Sequence, residues 1–206
     1  ISVIHQGPGI PAAVLEPASR VRQPRPKPYF LCVGSLQPHK NLPRLLAAWS
    51  SIEDQLPDHR LCVIGQAQPQ FAPVDYQEQL ARCQRVEFTG YVSDAQLAEL
   101  YRNATALVYP SIEEGFGLPI VEAFIAGCPV ITSNRSCMPE IGGTAALYAN
   151  PEDPAEIAQR MLSIGSDPVL AARLRDAGFL RARDFTWPAA GAALRDVLTS
   201  MTTPQQ

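Results

Sequence analysis

The 206-residue sequence predicts an α/β fold: a Rossmann-like, doubly wound parallel sheet with helices on both faces and further helices at its C-terminal end. Three observations point there. Short apolar runs alternate with helical segments, the runs are apolar at nearly every position rather than every second one, and several end in glycine. Strands buried on both faces read as such continuous runs, and parallel neighbours need a crossover helix between them.

The elements follow in order. ISVIH, residues 1–5, reads as an opening strand. A connector from Gly7 to Pro28 follows, whose prolines cannot join a central strand. YFLCVG is a strand ending in Gly34, and NLPRLLAAWSSI sets Leu42, Leu45, Leu46 and Trp49 at the i, i+3, i+4, i+7 spacing of one helix face. RLCVIG repeats the strand-then-glycine pattern. VEFTGYV precedes SDAQLAELYRNA, where Ser93 and Gln96 occupy the two positions of a capping box. TALVYP is the next strand. GLPIVEAFIAG reads as a helix with Pro119 near its first position and Gly127 just past its end. PVITS and ALYAN complete the sheet. Beyond Pro151 the chain turns helical, in DPAEIAQRMLSIG, DPVLAARLRDAGFLRARDF and WPAAGAALRDVLTSM.

Composition narrows the function. With 46% hydrophobic and 18% charged residues and a formal charge of −3, the chain has no broad face for nucleic acid. No apolar run approaches the ~20 residues that cross a bilayer, and no charged leader precedes an apolar segment, so a cytoplasmic protein is expected. Cys32, Cys62 and Cys128 lie in or beside apolar runs and predict buried, reduced thiols; no cysteine pair has the close spacing of zinc ligands. The chain begins at Ile1 rather than Met and is expected to be a piece of something longer.

In open α/β sheets the ligand sits beyond the carboxyl ends of the strands, so the residues that follow each strand carry the chemistry. These are Ser35, His39 and Lys40, then Tyr91, then Glu113 to Gly117, then Asn134. Gly115 and Gly117 let a ligand approach the backbone, and the helix that follows aims free N–H groups at an anion. Glu114 in the loop and Glu122 in the helix could reach one cleft from different heights, and a carboxylate that accepts two hydroxyls suits a vicinal diol. Plainer readings stand beside these: Glu122 as a carboxylate near a helix N-terminus, Glu114 as a loop residue, Lys40 as a solvated lysine. No Asp-x-Asp occurs, so no metal site is expected, and cations with helix N-termini must hold any diphosphate.

The segment YPSIEEGFGLPIVEAFIAGCPVITSN resembles the motif region of glycosyltransferase family 4, the group 1 retaining enzymes with the two-domain GT-B fold. VGSLQPHKNLPRLLAAW, FTGYVSDAQLAELYRNATALVYPS, PEIGGTAALYANPEDPAEIAQRM and FTWPAAGAALRDVL resemble further segments of that family in the same order. The resemblance implies a carboxy-terminal, nucleotide-sugar-binding half. Residues 1–185 would form the donor domain, and residues 186–206 a helix and tail crossing to an acceptor-binding amino-terminal domain that this sequence lacks.

By that resemblance Glu114 holds hydroxyls of the donor sugar and Glu122 the ribose. The backbone of Gly115, Phe116 and Gly117 lines sugar and diphosphate beside Leu118, and Lys40 neutralises the leaving diphosphate. Ser35 stands where the family often has an arginine, and His39, Arg44 or Arg135 would have to substitute for it. Tyr91 falls near where the family backs the base. The implied reaction transfers a hexose from a GDP-mannose-like or UDP-linked donor to a glycan or lipid-linked acceptor, as in polysaccharide biosynthesis, without metal or other cofactor. GDP-mannose comes first, from the likeness of GSLQPHKNLPRLL to mannosyl- and rhamnosyl-type members. The full enzyme would be cytoplasmic or peripheral at the inner face of the membrane, and this half alone would bind nucleotide without turnover. Two other readings remain. One is a different sugar-nucleotide enzyme on a GT-B-like scaffold, such as a non-hydrolysing epimerase or a phosphorylase, although a phosphorylase needs a pyridoxal-bearing lysine and only Lys27 and Lys40 exist here; the other is a non-catalytic nucleotide-binding or interaction module.

Overall fold

The structure, a computed structural model, describes residues 2–17, 27–34, 37–65 and 76–202. Its sheet strands are β1 (Tyr29–Val33), β2 (Arg60–Ile64), β3 (Val86–Gly90), β4 (Ala106–Tyr109), β5 (Val130–Ser133) and β6 (Ala146–Ala149). They pair in parallel in the order β3-β2-β1-β4-β5-β6. This is the doubly wound arrangement, in which chain progression reverses between β1 and β4 and leaves a crevice at their carboxyl ends.

The helices explain why the central strands are apolar at nearly every position. α1 (Ala12–Leu15), α4 (Asp94–Asn103), α5 (Leu118–Ile125) and α6 (Met138–Gly142) cover one face, where Tyr29, Leu31, Leu107 and Tyr109 point. α2 (Leu42–Ile52), α3 (Tyr76–Ala81) and α7 (Pro154–Ser166) cover the other, where Phe30, Cys32, Ala106 and Val108 point. Leu42, Leu45, Leu46 and Trp49 are all buried, as their spacing predicts. Ser93 and Gln96 close both bonds of the capping box at α4. Asp153 and Asp167 each cap a helix through two backbone N–H groups, α7 and α8 (Pro168–Arg181) respectively. α8 crosses α5 so closely that a Cβ on Gly178 would lie 2.7 Å from a Phe124 ring carbon, a contact only glycine permits.

Three expectations need correction. Residues 2–5 form no strand: the run is β-branched enough for one, but no neighbouring strand offers it a ladder. The connector after Gly7 contains α1, whose Leu15 is fully buried; residues 18–26 lie outside the described part. The helices α3 and α6 were not expected, because each is little more than a turn.

Cys32, Cys62 and Cys128 are buried thiols outside any disulfide among the described residues, as expected. Burial pushes the Cys32 thiol up to about 12 and the Cys62 thiol to about 11, so neither is a nucleophile at neutral pH. The final helix, α9 (Trp187–Thr202), stands apart from this packing. Phe185, just before it, is buried, whereas Trp187, Leu194, Leu198 and Met201 are exposed along it. Among the described residues no helix is long and apolar enough to cross a membrane.

Candidate functional site

Lys40 and Glu114 meet at the crevice between β1 and β4. Lys40 ends the short 3₁₀ turn Pro38–Lys40 after β1, and that turn is tied to the β4 side by the Ile112 N–H bonding to the His39 carbonyl at 2.8 Å. From there the Lys40 ammonium donates to Glu114 Oε1 at 2.7 Å and to the Tyr109 hydroxyl at 3.0 Å. The pair is largely withdrawn from water, with side chains 19% and 13% exposed. Burial pushes the Glu114 carboxyl upward, but hydrogen bonds from Lys40 and Tyr109 outweigh it and hold the group below the usual carboxylate range. Burial and the neighbouring Glu114 push the Tyr109 phenol well above its ordinary value, so it keeps its proton.

The Glu114 backbone is fixed as firmly as its side chain. Ser136, in the loop after β5, accepts from the Glu114 N–H at 3.3 Å and its hydroxyl lies 2.9 Å from the Glu114 carbonyl, which also faces the Cys137 thiol at 3.3 Å. Ser136 does this at φ 54°, a left-handed conformation uncommon for a residue with a side chain.

Gly115 to Leu118 form the rim. No atom lies within 4 Å of where a Cβ on Gly115 would stand, so the backbone there is open to a ligand. Gly117 caps α5 at φ 88°, a conformation that favours glycine and turns the chain into the helix. The Phe116 ring turns away from the crevice toward His5 and Phe185, at centroid distances of 6.0 and 5.9 Å, leaving its backbone toward the rim. Leu118 opens α5 and is half-buried.

Glu122 is placed differently from the sequence expectation of a carboxylate reaching into an open cleft. It is 6% exposed. Its Oε1 accepts from the Ile10 N–H at 3.3 Å and its Oε2 from the Tyr101 hydroxyl at 3.1 Å. Burial raises its carboxyl above the ordinary range despite those bonds and one from the Gly9 N–H.

The other candidates do not join this group. Ser35 lies outside the described residues. Tyr91 is 85% exposed beyond β3, the edge strand farthest from β4 on its side. Arg44 bonds to Asn41 and Arg135 to Glu152 and Asn150, so two of the three proposed stand-ins for the missing arginine are engaged with other side chains. His39 remains beside Lys40, half-buried. Sequence reading missed Tyr109, Tyr101 and Ser136. Tyr109 carried one usable signal, its position as the last residue of a strand next to the crossover.

Residues 17–181 match the family model for glycosyl transferases group 1. The chain belongs to that family. This group 1 chain is 34% identical over 161 residues to the O-antigen chain mannosyltransferase B of Escherichia coli, covering 77% of the chain and 42% of that protein. It is 37% identical over 125 residues to the O-antigen chain mannosyltransferase RfbU of Salmonella typhimurium, covering 61% of the chain and 35% of that protein. The chain thus spans less than half the length of either relative. Among solved structures, the sucrose-phosphate synthase of Thermosynechococcus elongatus superposes with a TM-score of 0.77 at 26% identity, over 96% of this chain and 51% of that one. The group 1 chain therefore has the Rossmann-like sheet of the GT-B glycosyltransferases, with Lys40 and Glu114 at its crossover.

Proposed function

We propose that this chain is the donor-binding unit of a retaining glycosyltransferase, which moves a hexose from a nucleoside diphosphate sugar to a glycan or lipid-linked acceptor. The observation that supports it best is the meeting of Lys40 and Glu114 at the sheet crossover, beside the open backbone of Gly115 and the N-terminus of α5. A cation, a carboxylate and free N–H groups converge there, which is what a sugar diphosphate needs.

In this reading the diphosphate takes Lys40 from Glu114. The ammonium and the backbone N–H groups from Gly115 to Leu118 then hold charge that builds on the leaving diphosphate, without a metal. Glu114, released, accepts hydroxyls of the sugar. Glu122, 6% exposed behind the rim, takes the ribose in exchange for its bonds to the Gly9 and Ile10 N–H groups. The sugar becomes oxocarbenium-like as the diphosphate departs, and an acceptor hydroxyl attacks it. Residues 1–185 serve as the donor domain, and α9 with the tail to residue 206 reaches a second domain that brings the acceptor. The names of the two O-antigen relatives make GDP-mannose the first donor to try, with UDP-sugars next. A lipid-linked acceptor would bring the cytoplasmic enzyme to the inner face of the membrane.

Calorimetry with GDP and UDP tests this directly. The chain should bind one of them with a dissociation constant on the order of 10 μM to 1 mM, and Lys40→Ala should weaken binding by about tenfold to a hundredfold, the loss of one charge-assisted bond. Absence of heat for both diphosphates at several times the upper limit would refute the proposal, and saturation-transfer NMR with the sugar nucleotides would name the base.

A further inference from the structure

Tyr109 closes the Lys40–Glu114 pair into a ring of three. Its hydroxyl accepts from the Lys40 ammonium at 3.0 Å, while the ammonium lies 5.1 Å from the centre of the same phenol ring. The hydroxyl keeps its own proton, and Glu114, bound to the same ammonium at 2.7 Å, is the carboxylate beside it. Tyr109 itself is 2% exposed and cannot swing away: its ring is packed among the helices on one face of the sheet, and its carbonyl takes a hydrogen bond from Thr132 Oγ1 at 2.9 Å.

We infer that Tyr109 is a positioning residue, a fixed hydroxyl that lets Lys40 pass from Glu114 to an incoming diphosphate without leaving the carboxylate short of donors. This rests on the donor-binding reading above and deepens it. Without Tyr109, the exchange would leave Glu114 with Ser111 as its one remaining side-chain donor, and a largely buried carboxylate short of donors is costly. With Tyr109 present, the carboxylate retains the phenol beside Ser111 throughout the exchange. The lysine also retains one acceptor at its root, so it pivots about the phenol instead of sampling solvent.

The chain contains just two lysines, Lys27 and Lys40, and this makes the exchange directly observable. Lysine side chains labelled with 13C at Cε give two NMR signals, and Lys27→Arg assigns them. Lowering the pH protonates Glu114 and frees Lys40, moving its signal. The groups that face Glu114 are Lys40, Tyr109, Ser111 and the Cys137 thiol, with Cys32 beside Lys40 and Tyr109. Burial raises both thiols, so they stay neutral across the acid range and the transition belongs to the carboxylate.

In Tyr109→Phe, which keeps the ring, the acid midpoint of the Lys40 signal should move to higher pH, because Glu114 has lost a donor. The GDP or UDP concentration that half-shifts the signal should rise by about threefold to tenfold. A urea midpoint equal to wild type excludes a general loosening of the fold. An acid midpoint unchanged by Tyr109→Phe overturns the inference whatever the diphosphates do. A wild-type signal indifferent to both diphosphates, with the midpoint still moved in Tyr109→Phe, refutes the donor-binding reading while upholding the three-membered ring.

Discussion

Lys40 and Glu114 neutralise each other at rest, so in the proposed function the diphosphate arrives before the carboxylate takes a hydroxyl. Glu122 sits in the opposite electrostatic situation, and the two carboxylates should therefore respond to pH in opposite senses. Glu114 titrates below its unfolded value, so it contributes stability above the ordinary carboxylate pKa of about 4.3 and loses it as pH falls through its depressed value. Glu122 titrates above its unfolded value, so its contribution is full below about 4.3 and is lost as pH rises through its raised value. Urea unfolding from about pH 3 to 7 should show Glu114→Gln flattening the acid limb and Glu122→Gln flattening the limb above about 4.3. The same change of slope in both variants would contradict these placements. Position after a strand put Glu114 and Lys40 among the candidates, beside Ser35, His39, Tyr91 and Asn134, and the family resemblance gave them their roles. Neither could reveal that they bond to each other, because their partners arrive through the sheet order. Tyr109 and Tyr101 were hidden for a different reason: in an apolar strand or a helix, a buried tyrosine reads only as core until its hydroxyl's neighbour is known.

At the level of elements, the contact between α8 and α5 carries the clearest steric consequence. A methyl group at Gly178 would press on the Phe124 ring, buried between the sheet and α8, with nowhere for it to move. Gly178→Ala should cost about 1–3 kcal/mol of overpacking despite its better helix propensity, read as a lower urea midpoint. An unchanged or higher midpoint would show that α8 can slide away. The strands were legible because burial on both faces leaves the sequence no choice but continuous apolar runs. α2 and α4 were legible for a complementary reason, a single buried stripe and a capping pair. What was not legible were α1, α3 and α6, too short for periodicity to develop, and the fate of residues 2–5, since strand-like composition does not supply a partner strand.

Across the whole molecule, among the described elements, the sheet and its two covering layers leave α9 outside, with Trp187, Leu194, Leu198 and Met201 exposed. If this helix belongs with a second domain, hydrogen exchange in the isolated chain should be fast after Trp187 and slow through β1, β4 and β5, and no glycosyl transfer should occur without that domain. Slow exchange along α9 in a monomer, or measured transfer by this chain alone, would argue against that division. The root of α9 is nevertheless anchored: the Trp187 indole N–H donates to the Pro8 carbonyl at 3.0 Å, across 179 positions of sequence. The polypeptide thus leaves one spot near Pro8, builds the whole sheet, and comes back to the same spot. Mechanically it is a loop pinned at its neck. Tension applied between residues 8 and 187 would load that neck first, and beside it the His5–Glu140 and Ile10–Glu122 contacts that fasten the same segment, so a body attached at both points would bear on a braced neck before it bore on β1 and β4.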